Sequence, residues 1–192
     1  ADGSVLLDGS SDFAETAASS DLAVGDTFTL TTWLWLNPNP GSSSKFAIRV
    51  GDPGASSTAS IGVFGGANPG FYSWSGAAAM SSSITCDSAR WYHVATSSSS
   101  TIRIGDFSTG GNDWEGHLAN ACLFTESLTE DQVRQVMRAS DYASHAAIST
   151  VEAFYPLSAN FNDSTGNHDA TLSGSATFGV YRPQLPRGLD LT

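Results

Sequence analysis

A chain of 192 residues can bury about 70% of the surface its unfolded form exposes, so one core suffices without a disulfide framework. Its formal charge of −11, from 19 acidic and 8 basic residues with Lys45 as the single lysine, excludes the positive surface that nucleic acid or anionic lipid requires. Only 14% of the chain is charged, so Ser, Thr, Asn and Gly must supply the polar surface, as they do in loops joining many short strands.

No apolar stretch approaches the roughly 20 residues of a membrane span, and no basic segment followed by an apolar run opens the chain. Membrane insertion is therefore not expected. The start at Ala1 fits removal of Met in a cytosol and cleavage of a signal peptide equally well. Cys86 and Cys122 stand apart without CxxC or metal-like spacing, which favours two small buried side chains over a disulfide.

In chain order, Ser4-Val5-Leu6-Leu7 forms a strand that Asp8-Gly9-Ser10-Ser11-Asp12 returns through Phe13 toward Thr16. Calcium is conceivable at Asp8 and Asp12, but a hard cation wants six or more oxygens and this turn supplies few. Turn formation is the expected role of both. Between residues 28 and 36, Phe28, Leu30, Thr32, Leu34 and Leu36 alternate with Thr29, Thr31, Trp33 and Trp35, the pattern of a central strand covered on both sides. Asn37-Pro38-Asn39-Pro40 ends it, because proline cannot donate to a ladder. Further strands are expected over residues 46–50, 61–64, 71–74, near 84–86, and over 91–96 and 101–105, with Gly-rich turns at 51–54 and 65–70.

The richest stretch is 113–138. Gly116 opens an apolar strand, 117–124, that exits through Thr125-Glu126-Ser127. Thr129 with Gln132 has the spacing of a capping box, and Leu128 with Val133 that of a hydrophobic staple. Val133, Val136 and Met137 form one apolar stripe, while Glu130, Asp131, Arg134 and Arg138 face water and suit the helix dipole. A short helix lying on a sheet is the consequence.

This pattern, Trp114-x-Gly116, strand, aromatic, Leu128-Thr129-Glu130-Asp131-x-Val133, short helix, resembles the closing segment of concanavalin A-like, laminin-G-like β-sandwich domains. The stretches Leu6-Leu7-Asp8-Gly9-Ser10-Ser11-Asp12-Phe13, Phe28-Thr29-Leu30-Thr31-Thr32-Trp33 and Trp91-Tyr92-His93-Val94-Ala95 fit the same family in the same order. The resemblance implies a fold and no particular ligand. Residues 97–100 replace the strand and Asp-Gly or Asn-Gly turn usual in relatives. A site that depends on that hairpin does not carry over.

Ala153-Phe154-Tyr155-Pro156-Leu157, Asp163-Ser164-Thr165-Gly166-Asn167 and Ala170-Thr171-Leu172 look like the segment that usually begins such a domain, here placed last. Some forty residues cannot bury a core alone, so this tail should wrap back and pair near residues 5–7. Residues 140–149 read as an Ala-rich linker with room for a helical turn, and Tyr181-Arg182-Pro183-Gln184-Leu185-Pro186-Arg187 as an extended arm. The expected fold is all-β: one domain over residues 1–192, a two-sheet antiparallel jelly-roll sandwich with one short helix near 130–139 and a wrapped C-terminal segment.

Chemistry is scarce. A glycoside hydrolase on this fold would carry Glu-x-Asp-x-x-Glu on one strand, setting two carboxylates across the sugar bond, and that motif is missing. Glu15, Glu115, Glu126, Glu130 and Glu152 are dispersed, no Gly-x-Ser-x-Gly elbow occurs, and His93, His117, His145 and His168 stand singly, as structural or solvated histidines do. No catalytic residue, metal or cofactor is expected. Binding is left, with Tyr72, Trp74 and Trp114 as rings on which a sugar could stack and Asp113 as the nearby polar partner; each ring has an alternative role in the core, as Trp33 and Trp91 do. The sequence reading favours a non-enzymatic, lectin-like surface module. Its first setting is a bacteriophage virion surface, with a capsid or tail protein or a surface glycan as partner and a homo-oligomer left open; its alternatives are a secreted carbohydrate-binding lectin and a divergent glycoside hydrolase.

Overall fold

Period-two alternation dominates the described chain, and its strands follow from it. The computed structural model describes residues 3–16, 28–36, 45–50, 59–63, 70–75, 79–85, 90–96, 102–104 and 113–179. In order these form β1 (Ser4–Asp8), β2 (Phe13–Thr16), β3 (Thr29–Leu36), β4 (Lys45–Val50), β5 (Ala59–Val63), β6 (Gly70–Ser75), β7 (Ala79–Thr85), β8 (Trp91–Thr96), β9 (Ile102–Ile104), β10 (Glu115–Phe124), α1 (Glu130–Val136), α2 (Tyr142–Ala146), β11 (Val151–Tyr155), β12 (Ala170–Ser173) and β13 (Thr177–Gly179). Cys86, the turns at 37–40, 51–54 and 65–69, the tip 41–44, the link 97–100 and the arm 181–187 lie outside the described residues.

Two antiparallel sheets result. One runs β13-β1-β10-β3-β8 with β11 also beside β10, and the other runs β12-β2-β9-β4-β5-β6-β7. Val5, Leu7, Leu30, Leu34 and Leu118 of the first sheet join Ala14, Ile48, Ile61 and Ile104 of the second in one buried core, as alternate positions on facing pleats should. The tail does wrap back: β13 pairs with β1 (Val5 opposite Phe178), β12 with β2, and β11 with β10. Both sheets are thus completed from the far end of the chain. A bulge at Ala119–Cys122 of β10, with Asn120 at φ 48°, lies where its partner on that side changes from β1 to β11.

Asp163 fixes the tail. Its Oδ1 accepts the amides of Phe154 (2.8 Å) and Thr165 (3.0 Å), and its Oδ2 those of Asn167 (3.3 Å) and His168 (3.1 Å) and the Thr165 hydroxyl. One buried carboxylate therefore ties the end of β11 to the approach of β12. Tyr155 donates its hydroxyl to the His168 carbonyl at 2.6 Å; burial, with Asp163 and Asp169 nearby, raises its pKa.

The helix expected near 130–139 is α1, and its capping box is formed: Thr129 Oγ1 accepts from the Gln132 amide at 3.3 Å and Gln132 Oε1 accepts from the Thr129 amide at 2.9 Å. The expectation of one helix needs correction, since Asp141 Oδ1 accepts the Ser144 amide at 2.8 Å and starts α2 in the Ala-rich segment. Val136, Phe124, Cys122 and Phe154 make a second small core beneath the helices, on the outer side of the first sheet. Cys122 is a free, buried thiol whose pKa is pushed well up, first by burial and then by Asp163.

The first turn is locked to the last one. Asp12 accepts the Asp8 amide on Oδ2 (3.2 Å) and the Ser175 amide on Oδ1 (2.5 Å). Gly174 has φ 88°, and a Cβ there would stand 2.2 Å from Asp12 Oδ1. Gly174→Ala is therefore expected to cost about 2 kcal/mol in urea denaturation, from left-handed backbone strain plus a displaced Asp12. Gly166→Ala, at φ 82° with nothing within 4 Å, should cost about 1 kcal/mol from the backbone alone. Equal losses at the two glycines would show that the contact with Asp12 contributes nothing.

Candidate ligand-binding surface

The sequence singled out Tyr72, Trp74, Trp114 and Asp113, and the fold places them in two different settings. Tyr72 lies opposite Gly62 and Trp74 opposite Ser60. Being two apart on β6, the two positions share one face of the second sheet. The row continues from Trp74 through Ser60, Arg49, Arg103 and Glu15 to Thr171. Ala14, Ile104, Ile48 and Ile61 alternate with this row and mark the core side, so the register puts positions 72 and 74 in the row away from the core. Ser60 and Arg49 in the row are fully buried. Gly62 brings the backbone close to β4, since a Cβ there would meet the Lys45 carbonyl oxygen at 2.3 Å.

Trp114 and Asp113 require a correction. The Trp114 ring is fully buried in the main core and offers no face to a ligand. Asp113 is 6% exposed, forms an isolated bridge with Phe46, and accepts the Ser11 amide on Oδ2 at 2.9 Å. Both residues fasten the entry of β10 to the first turn and to β4. Asp8 likewise accepts the Ser10 amide on Oδ1 at 2.8 Å, so the carboxylates of the Asp8-to-Asp12 turn hold backbone. Among the described residues, no group of three or more His, Cys, Asp or Glu is placed to hold a metal.

The outer face of the first sheet carries an arrangement that the sequence reading missed. Trp33, expected in the core, is buried at 5% exposure, yet alternation with Leu34 sets it on the face away from the main core, and Trp91, also expected in the core, is half-buried on that same face. Leu6, His117, Trp35 and Trp91 form one row across four strands. His117 meets Trp35 edge-on at 5.2 Å and Ser4 Oγ at 3.1 Å, and His93 meets Trp33 edge-on at 5.3 Å. Period two on β3 and β8 was the available signal.

These histidines are held neutral. Burial, followed by the neighbouring His145, brings the His93 pKa down to about 4. Burial also lowers those of His117 and His145; His145 packs against Phe154 at 4.5 Å and Phe124 at 6.3 Å. The fourth, His168, lies 3.0 Å from Glu152 through Nε2 and Oε1.

The glutamates are equally occupied with structure. Glu130 pairs with Arg134 on α1, Glu126 accepts from the Ser149 hydroxyl, and Glu115 stands opposite Asp8 on paired strands. No helix among the described residues is long and apolar enough to cross a membrane.

No protein-family model matches the sequence. A search of curated proteins likewise gives no match. Solved structures do resemble the chain. A provisionally named carbohydrate binding protein from Bacteroides ovatus superposes with a TM-score of 0.67 at 14% identity, over 92% of this chain. The match spans only 59% of that protein's own length. A native heptameric SAP-like pentraxin from Limulus polyphemus superposes with a TM-score of 0.53 at 15% identity, over 70% of this chain and 81% of its own. What this chain shares with both is an antiparallel β-sandwich.

Proposed function

We propose that this chain is a non-enzymatic, lectin-like carbohydrate-binding module. The observation that carries the reading is the superposition over 92% of the chain on a protein provisionally named for carbohydrate binding. The lack of a Glu-x-Asp-x-x-Glu motif in the sequence agrees with it. Of the roles the sequence suggested, carbohydrate binding is better supported than display on a bacteriophage capsid or tail. The virion role has no feature of the fold in its favour.

A glycan array probed with the purified protein tests the reading, and binding of at least one glycan class is expected. With the Tyr72 and Trp74 positions as the platform, the double variant Tyr72→Ala/Trp74→Ala should weaken that binding at least tenfold. Unchanged binding would remove those two positions from the site. The enzyme alternative is checked separately: reducing sugar released from a β-glucan panel, and lost in Glu115→Gln, would overturn the non-enzymatic reading.

A further inference from the structure

The geometry points to a saccharide subsite in the open groove between α2 and the loop that follows β11, on the helical side of the first sheet. This inference rests on the carbohydrate reading above and gives it a location that the sequence did not suggest. The groove has a volume of about 510 Å3, within the ~300–1,000 Å3 typical of small-ligand sites. Phe154, Pro156 and Tyr142 are among the residues that line it. Tyr142 is 38% exposed, which makes it the exposed aromatic among the large hydrophobic residues described. That partial exposure leaves one portion of the ring open to the groove.

The lining chemistry selects the occupant. Ser140, Ser158 and Ser164 bring hydroxyls to the groove, and Asp141 brings a carboxylate. No Lys or Arg lines it among the described residues, and the chain carries a net charge of −11. Phosphate, sulfated sugars and uronic acids are therefore disfavoured. A neutral pyranose satisfies the whole set: its C–H face covers the Tyr142 ring while its hydroxyls donate to Asp141 and exchange hydrogen bonds with the serines. Asp141 suits this role. The Ser144 amide and hydroxyl bond to its Oδ1 and hold its pKa below the usual carboxylate range, and Oδ2 takes no part in that cap.

The walls are fixed before any ligand arrives, which lowers the entropy cost of binding. Asp141 caps α2 on one side. On the other, the Ser164 amide donates to the Phe154 carbonyl at 2.8 Å, next to the buried Asp163. The groove and the Tyr72/Trp74 face belong to opposite outer surfaces, α2 contacting β11 of the first sheet and β6 lying in the second.

The test is titration of the whole chain with neutral gluco-, manno- and galacto-oligosaccharides, and with sulfated and sialylated counterparts, by calorimetry and by NMR of the tyrosine ring. A neutral oligosaccharide should bind, shift the Tyr142 ring resonances, and bind at least tenfold more weakly to Tyr142→Ala. Tyr142→Phe should retain affinity within about threefold, since the face of the ring is what matters. The melting curve of Tyr142→Phe should match the parent, and Tyr142→Ala should remain folded with a modest loss, since part of the ring is covered. Saccharide binding unaffected by Tyr142→Ala, or preference for the anionic sugars, would overturn the groove and leave the carbohydrate reading standing. Absence of saccharide binding altogether would remove both.

Discussion

Asp163→Ala is expected to destabilise the protein by about 4 kcal/mol, the largest effect of any single polar substitution here. The reasoning is a count of orphaned donors. Four backbone amides and one hydroxyl converge on this carboxylate, and Phe154 and His168 among the donors are buried residues. Each buried amide stripped of its acceptor costs about 1–3 kcal/mol, and alanine supplies no acceptor. At roughly 2–4 °C per kcal/mol for a domain of this size, the midpoint of thermal unfolding should fall by about 8–16 °C. Asp163→Asn retains Oδ1 but turns an NH2 group toward the amides of Asn167 and His168, so about half the loss should remain. Paired urea melts decide the matter. A loss below about 1 kcal/mol for Asp163→Ala would mean that the knot does not hold β11 to β12.

Acid should weaken the fold through its histidines. His93 has a pKa of about 4 in the folded protein against the ordinary 6.5. The unfolded chain therefore takes up the proton first as pH falls. The stabilisation is fully present above pH 6.5, declines as pH drops toward 4, and changes no further below that. A gap of this size corresponds to about 2–3 kcal/mol once the ring's residual contact with solvent is discounted. His117 and His145 are shifted in the same direction and steepen the slope. The check is urea denaturation at successive pH values between 7.5 and 4, comparing the parent with His93→Gln. The variant should show a shallower decline, and parallel slopes would clear His93 of any part in it.

Much of the architecture was legible because it is written in local chemistry. The Asp8-to-Asp12 turn, the Thr129/Gln132 capping box and the alternation of β3 each settle their own geometry, and the order of the tail motifs announced that the last strands return to the first. What escaped depended on three-dimensional neighbours. Trp114 fits either a ligand platform or the core by sequence alone, and the Phe46 bridge and the β10 register put its ring in the core. Trp33 is buried as a core residue should be, but it and the half-buried Trp91 pack against histidines on the face of the first sheet away from the main core. β7 begins at Ala79, in an Ala- and Ser-rich run without apolar periodicity, and is a strand because β6 pairs with it. The groove beside Tyr142 could not be read at all. It joins a short helix to a loop some twenty residues away, and no spacing rule connects them.

The pairing of β13 with β1 sets Gly179 directly opposite Ser4, and a Cβ on Gly3 would come within 2.9 Å of the Gly179 carbonyl oxygen. The first and last described strands thus lie side by side at one edge of the first sheet. A linker cut in between Gly3 and Gly179 need span only the width of two adjacent strands. A chain joined there and opened in another loop would keep both sheets intact.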